Sequence, residues 1–364
     1  MADKNTGKTP FDSVYTGNNT LNSLAAVGRT VRPTFIPEDS RPSFVALLNG
    51  VATNELSRVN TQAKPPEIKP ISQEAFIQQG NVKVFISRYK ELTGELKPST
   101  HKLLDICTLA LAKQNNYRGS GPLNTAVVVP LEEYLELCGK PVTASSKKEA
   151  RKKIKEDLET LFHISLEWSE PSGKKTRDFA KMRICDSIGI KNGNIMLNFT
   201  APMASYLNSS YIMQYSTQLL QVDERNANSY PLGKKLLQHN SMENNIKKGT
   251  ANIISVKSAL EACPDIPTYE EVMSKARQID QKIKAPLERA LNSLPFITWE
   301  YSNSKGKPLT EEQLGSTDYK SFEKLYIHFQ ILGAPDQSER LQKKADQTQK
   351  KKAAKKNNQQ AAEQ

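Results

Sequence analysis

The chain repeats itself, and the repeat limits what it can fold into. The segment Lys147 to Trp168, KKEARKKIKEDLETLFHISLEW, has a second version from Lys282 to Lys307, KIKAPLERALNSLPFITWEYSNSKGK. Lys153-Ile154-Lys155 answers Lys282-Ile283-Lys284, and Leu158-Glu159 answers Leu287-Glu288. Each helix-like run leads into a β-like segment holding one of the chain's two Trp, Trp168 or Trp299, and then reaches a Gly-Lys turn at Gly173 or Gly306. The echo continues upstream. Leu135, Glu136 and Cys138 match Leu260, Glu261 and Cys263, and Lys102-Leu103-Leu104 matches Lys235-Leu236-Leu237. Echoes in one order at nearly constant offsets mean one module used twice. Each copy reads helix, short strand, short helix, long helix, strand, turn, strand. That order predicts an α+β protein of two tandem winged-helix domains, each a helix-turn-helix core followed by a β-hairpin wing.

Composition sets the boundaries. Residues 1–75 are rich in Asn, Thr, Ser and Pro, and Pro33, Pro37, Pro42, Pro65, Pro66 and Pro70 break any long element. They predict a largely disordered N-terminal arm, relieved by one apolar stretch, Phe44 to Val59, with the content of a short helix. The first domain takes residues 76–200, a linking helix 201–228, and the second domain 229–333. Residues 334–364 include QKKKAAKKNNQQ and predict a disordered basic tail that adds salt-sensitive, sequence-blind affinity for DNA.

The long helix of the first copy is expected from about Ser145 to Phe162, burying Ala150, Ile154, Leu158, Leu161 and Phe162 at helical spacing. Lys148, Arg151, Lys152 and Lys155 fall on its other side, while Glu149, Glu156 and Asp157 lie toward its ends. A basic outer face of this kind suits entry into a DNA groove; the bland alternative is a solvated charge face. The candidate groove contacts are Ser145, Ser146, Lys147, Lys148, Arg151, Lys152 and Lys155. Ile164 to Trp168 and Phe179 to Ile190 are expected to pair as the wing, with Lys174, Lys175 and Arg177 at its tip on the phosphates. Lys191-Asn-Gly-Asn194 then forms a tight turn into a third strand. In the second copy a helix from Ser274 to Leu294, disturbed at Pro286, offers Ser274, Lys275, Arg277, Gln281 and Lys284. Its wing offers Lys305 and Lys307. Asp280 stands where the first copy has Arg151, so this face is less basic.

Other chemistry finds little support. The net charge of +12 favours a polyanionic partner, most simply nucleic acid, although a solubilising surface has the same composition. The Cys at 107, 138, 185 and 263 form no CxxC pair and read as small buried hydrophobes. Thr6-Gly7-Lys8-Thr9 ends like a phosphate-binding loop but has Ala2 where the first Gly belongs. Tyr211-x-x-x-Tyr215 matches the spacing of paired nicking tyrosines, yet the four His are scattered, so helical packing is the better reading. No metal, cofactor or catalytic residue is expected. No apolar run reaches the ~18 residues of a membrane span, and the first residues lack a signal peptide's apolar core. A cytoplasmic protein is expected.

With the bridge Leu197-Asn-Phe-Thr-Ala-Pro-Met-Ala-Ser-Tyr-Leu207, the Tyr211/Tyr215 pair and the run Tyr230 to Leu237, residues 80–332 resemble the iteron-binding plasmid replication initiators. The resemblance implies two winged helices engaging successive major grooves of one duplex at repeated origin sites. It also implies help in recruiting the host replicative helicase or its loader, and a homodimer that represses its own promoter. A winged-helix transcriptional repressor or partition regulator without a replication role is the alternative. A nickase, primase or nuclease is a third class, for which the needed carboxylate or His pairs are missing.

Overall fold

The computed structural model describes residues 44–49, 51–69, 74–79, 82–115, 122–169, 179–275, 278–310, 313–314 and 318–333. Residues 1–43 of the arm expected over 1–75, and the expected basic tail over 334–364, lie outside them. The protein is a mixed α+β structure whose sheets are antiparallel throughout. Its buried apolar residues form one continuous cluster running through both copies. Among the described residues no helix is long and apolar enough to cross a membrane.

The chain opens with β1 (Phe44–Asn49), α1 (Val51–Leu56), β2 (Glu67–Ile68), β3 (Ala75–Gln79) and β4 (Val82–Ile86). The first copy follows as α2 (Pro98–Gln114), β5 (Ala126–Pro130), α3 (Leu131–Leu137) and α4 (Ala144–Phe162). It continues with β6 (Ile164–Ser169), β7 (Phe179–Arg183), β8 (Cys185–Lys191) and β9 (Asn194–Phe199). A bridge of α5 (Ala201–Ser209), β10 (Tyr211–Ser216) and α6 (Gln218–Gln221) leads to the second copy. That copy has α7 (Ser229–Ser241), α8 (Glu243–Lys247), β11 (Ile253–Ser255), α9 (Val256–Leu260) and α10 (Tyr269–Lys275). A π-helical turn at Asp280–Lys284 runs into α11 (Ala285–Asn292), then β12 (Ile297–Ser302), α12 (Tyr319–Glu323) and β13 (Tyr326–Ile331).

The two copies close the same small sheet. In the first, β9 lies between β5 and β8; in the second, β13 lies between β11 and β12. Each sheet is therefore ordered first, third, second strand of its unit, although the second copy carries the additional short helices α8, α10 and α12.

This topology corrects the expected wing of the first copy. Ile164 to Trp168 does pair with part of Phe179 to Ile190, but only as far as Arg183. Ile184 is fully buried and the chain crosses there into a different sheet, so residues from Cys185 onward pair with β9. The hairpin that closes the first copy is thus β8–β9, turning at Asn192-Gly193, both with positive φ. The β6–β7 hairpin is an insertion that completes a five-stranded sheet ordered β2-β3-β4-β6-β7. Its tip, with Lys174, Lys175 and Arg177, lies outside the described residues.

Ordered structure reaches into the stretch expected to be a disordered arm. Ala52, Leu56 and Val59 are in the core. Phe44–Asn49 is a strand paired with Tyr211–Ser216, not part of a helix. The bridge is correspondingly not one helix. Tyr211 and Tyr215 sit on β10, where residues four apart share a face just as they do on a helix; Tyr215 is buried.

The long helix of the second copy is broken as Pro286 demands. Proline has no N–H to donate, and the backbone adjusts one residue earlier: the Ala285 amide reaches back to the Asp280 carbonyl, an i→i−5 bond. A buried stripe nonetheless runs through the break, with Ile283, Leu287, Ala290 and Leu291 in the core and Ile279 packed beside them. The return strand starts at Tyr326, after a short helix that Asp318 caps by accepting from the Ser321 amide at 2.8 Å.

Candidate nucleic-acid interface

One face of the first three turns of α4 is open. Thr143 caps the helix, its hydroxyl accepting from the Ser146 amide at 3.1 Å. Ser146 is therefore occupied in the cap, and its hydroxyl lies 2.8 Å from that of Thr143. Ser145 is exposed, as are Lys148, Arg151, Lys152 and Lys155. Ile154, Leu158 and Leu161 anchor the opposite side in the core. The seven candidates are not equal. Lys147 pairs with Glu132 of α3 at 2.5 Å, so part of its charge is neutralised. Lys155 approaches Glu159 at 3.8 Å, but its side chain keeps 74 % exposure.

The β8–β9 hairpin walls this face. Lys148, Arg151, Lys152 and Lys155 line a groove whose floor is apolar, from Leu158 on the helix and Ile188, Gly189 and Ile190 on β8. Toward the helix start the groove continues between Lys147, Lys148 and Arg151 and the hairpin tip Asn192-Gly193-Asn194. The tip is not a loose finger. The Leu131 amide donates to the Gly193 carbonyl at 2.8 Å, tying it to the start of α3. The sequence marks Lys191-Asn-Gly-Asn194 as a tight turn into a third strand, but nothing local in it sets that hairpin, rather than β6–β7, beside α4.

Lys153 shows how the same basic run also holds the structure together. It turns away from the groove and pairs with Glu224 in the segment after α6. Lys102 on α2 reaches Glu224 at 3.6 Å and donates to the Val222 carbonyl, and Lys140 reaches Glu224 at 3.8 Å. Burial alone would raise the Glu224 pKa, but Lys102, Lys153 and Lys140 outweigh it and hold the carboxyl below its usual value. A second link joins α2 directly to α7. Lys234 donates to both Asp105 oxygens at 2.7 and 2.8 Å, and the Tyr230 hydroxyl donates to Asp105 at 2.5 Å. All three are buried. The first helices of the two copies are thereby locked to one another.

The second copy presents a weaker face. Gln281 is exposed and Lys284 half-buried, but exposed Asp280 lies between the helix segments. Ser274 and Lys275 end α10; Arg277 lies outside the described residues. Lys305 and Lys307 are exposed on the turn after β12. Asn303 builds that turn: its side-chain oxygen accepts from the Lys305 and Lys307 amides at 2.9 and 3.1 Å. Gly306 has φ +76, and a Cβ there would meet Ile253 at 2.8 Å.

Among the described residues no group of three or more His, Cys, Asp or Glu is placed to hold a metal ion. All four cysteines are buried, and burial raises their pKa, to about 11 at Cys138 and about 12 at Cys185. They lack the lowered pKa of a nucleophile.

No family model matches this chain, and no curated protein does. Two solved structures of domains 2 and 3 of RctB are similar in outline. One, a selenomethionine derivative, covers 78 % of this chain and 100 % of its own, with 8 % identity and a TM-score of 0.39. The other covers 74 % and 95 %, with 10 % identity and a TM-score of 0.34. Likeness at that level leaves the functional reading to the residues of this chain.

Proposed function

We propose that this protein is a non-enzymatic, sequence-specific double-stranded DNA-binding protein made of two tandem winged helices. In this reading it initiates replication of a plasmid or mobile element by binding repeated origin sites, and it helps recruit host helicase machinery there. The observation that carries the DNA-binding part is the groove beside α4. Lys148, Arg151, Lys152 and Lys155 are exposed on a helix whose back is buried, with a hairpin alongside. An exposed helix about 10–12 Å across fits a major groove about 12 Å wide. The repeated strand order supports two such units, and the buried Asp105–Lys234 pair gives them a fixed relation. Two fixed reading units suit a site spanning about two helical turns of one duplex. The replication role rests on the sequence resemblance.

The test is selection from a random duplex library by the purified full-length protein, with sequencing of the retained DNA. The expected outcome is one motif whose matches recur as direct repeats beside an A·T-rich stretch. A lone inverted repeat in a promoter would instead identify a repressor or partition regulator. Retention without any motif would remove sequence-specific binding. Incubation with supercoiled plasmid and Mg²⁺ should leave the plasmid uncut; nicking would identify an enzyme.

A further inference from the structure

The five-stranded sheet that the β6–β7 insertion completes has an outer face that the duplex reading does not use. Register places Glu67, Phe76, Phe85, Ser165 and Arg183 side by side across all five strands. Gln78, Lys83, Glu167 and Lys181 form a second row beside them. The alternate residues, including Val84 and Leu166, point into the core. An outward face of an antiparallel sheet is ordinarily polar. Here two phenylalanines occupy neighbouring strands at its centre, with ring centroids 5.4 Å apart.

Cations are arranged over those rings. The Lys181 ammonium lies 3.9 Å from the Phe85 centroid and that of Lys69 4.7 Å from it. Lys69 also lies 6.0 Å from the Phe76 ring. At the far edge the Arg183 guanidinium lies 5.0 Å from the Phe162 ring. Phe85 is covered, with 5 % exposure, whereas Phe76 is half-buried. The acids on the face are partly engaged: Glu167 holds Lys83 at 3.0 Å and Glu74 lies 3.7 Å from Lys69.

We propose that this face is a binding platform for single-stranded nucleic acid, in which a base stacks on Phe76 while Lys69, Lys181 and Arg183 meet the phosphates. Base-on-aromatic stacking within a cationic track needs no sequence readout, and it requires bases that are not already paired. Phe85 acts from below, holding the Lys69 and Lys181 ammoniums over the sheet by cation–π attraction. Five strands at ~4.8 Å spacing span roughly 20 Å, room for about three nucleotides of an extended strand. Gln78 and Ser165 stand in the rows where base edges would lie. The proposal goes beyond duplex recognition and shares no residue with it.

The test is fluorescence anisotropy of the full-length protein with labelled dT15 and, separately, with a dA15·dT15 duplex. The variants are Phe76→Ala, Phe76→Leu, Lys181→Ala and the double variant Lys148→Ala/Arg151→Ala. Phe76→Leu keeps apolar volume without the ring, so it guards against a fold defect in the alanine variant. Both Phe76 variants are expected to bind dT15 about 10-fold more weakly and to keep duplex affinity within about twofold. Lys181→Ala should reduce the salt slope for dT15 by about 0.7. The Lys148/Arg151 variant should lose duplex and keep dT15. Wild-type protein that does not bind dT15, or Phe76→Leu that binds it undiminished, overturns the proposal. Parallel loss of dT15 and duplex in the Lys148/Arg151 variant also overturns it, because one shared site would then serve both. Absence of duplex binding with dT15 binding intact would sink the duplex reading and leave this one standing.

Discussion

Asp157→Asn should remove part of the pH dependence of stability, and the reason lies on the buried side of α4. Asp157 is fully buried on α4. One carboxylate oxygen accepts from Thr100 at 2.7 Å and from Ser99 at 3.0 Å, at the start of α2. The other oxygen meets no donor among the described residues. Burial raises the pKa from 3.8 to about 6, against the opposing pull of Thr100, Lys97, Ser99 and Lys153. A carboxyl raised in the folded state binds protons more tightly there than in the unfolded chain. Its ionisation penalty is therefore complete above pH 6, shrinks as pH falls through 6, and is gone below 3.8.

One pKa unit is worth about 1.36 kcal/mol, so the full penalty near neutrality is about 3 kcal/mol. At pH 5.0, one unit below the folded pKa, the wild type has recovered about 1.4 kcal/mol of it. Asparagine keeps the acceptor for Ser99 and Thr100 but does not titrate. Its amide donors would face the unpaired side at a cost of about 1–3 kcal/mol, which offsets part of the gain at neutral pH. The decisive quantity is the change in the difference, since His101 and Glu133 titrate alike in both proteins. Urea unfolding at pH 7.5 and 5.0 should show Asn losing about 1.4 kcal/mol relative to wild type on acidification. A difference that stays constant between the two pH values would refute a charged, buried Asp157.

Three other outcomes follow from particular contacts. Arg151→Ala should weaken specific duplex binding by about 1–3 kcal/mol in a gel-shift titration, and Lys152→Ala should lower the salt slope by about 1; unchanged affinity removes Arg151 from the interface. Asp105→Ala leaves the Lys234 ammonium and Tyr230 hydroxyl buried without their acceptor. It should cost about 3–5 kcal/mol by urea titration, and a cost below ~1 kcal/mol would show the inter-copy link to be solvated. Gly94→Ala puts a Cβ 2.6 Å from the Glu156 carbonyl of α4. It should lower stability by about 1–3 kcal/mol, seen as a lower melting temperature.

Much of the architecture was legible because its signals are periodic and local. The apolar stripe of α4 at Ile154, Leu158 and Leu161 needs only the 3.6-residue turn. The placement of Lys148, Arg151, Lys152 and Lys155 on the open side follows from the same periodicity. Pro286 disturbs its helix because a missing N–H acts within one turn. The Cys residues were read as core, and all are buried. The candidate site was legible to the same depth: which helix face, but not what stands opposite it.

The remainder depended on partners distant in sequence. Tyr211 and Tyr215 share a face on a helix or a strand alike; only the pairing of β10 with Phe44–Asn49 makes it a strand. The run from Phe179 to Ile190 is uniformly β-like, and nothing local marks where it leaves β6 for β9. That choice belongs to Ile184, which is buried at the crossing and ends one ladder before the next begins. Lys153 looks like any other lysine of the basic run until Glu224 approaches it from the far side of the bridge. Helical and strand periodicity are written residue by residue, so the sequence alone determined the duplicated elements and their polarity. Strand order, the identity of the closing hairpin and the locking of the two copies arise when segments far apart in sequence bury their surfaces together, and the tertiary structure decided those.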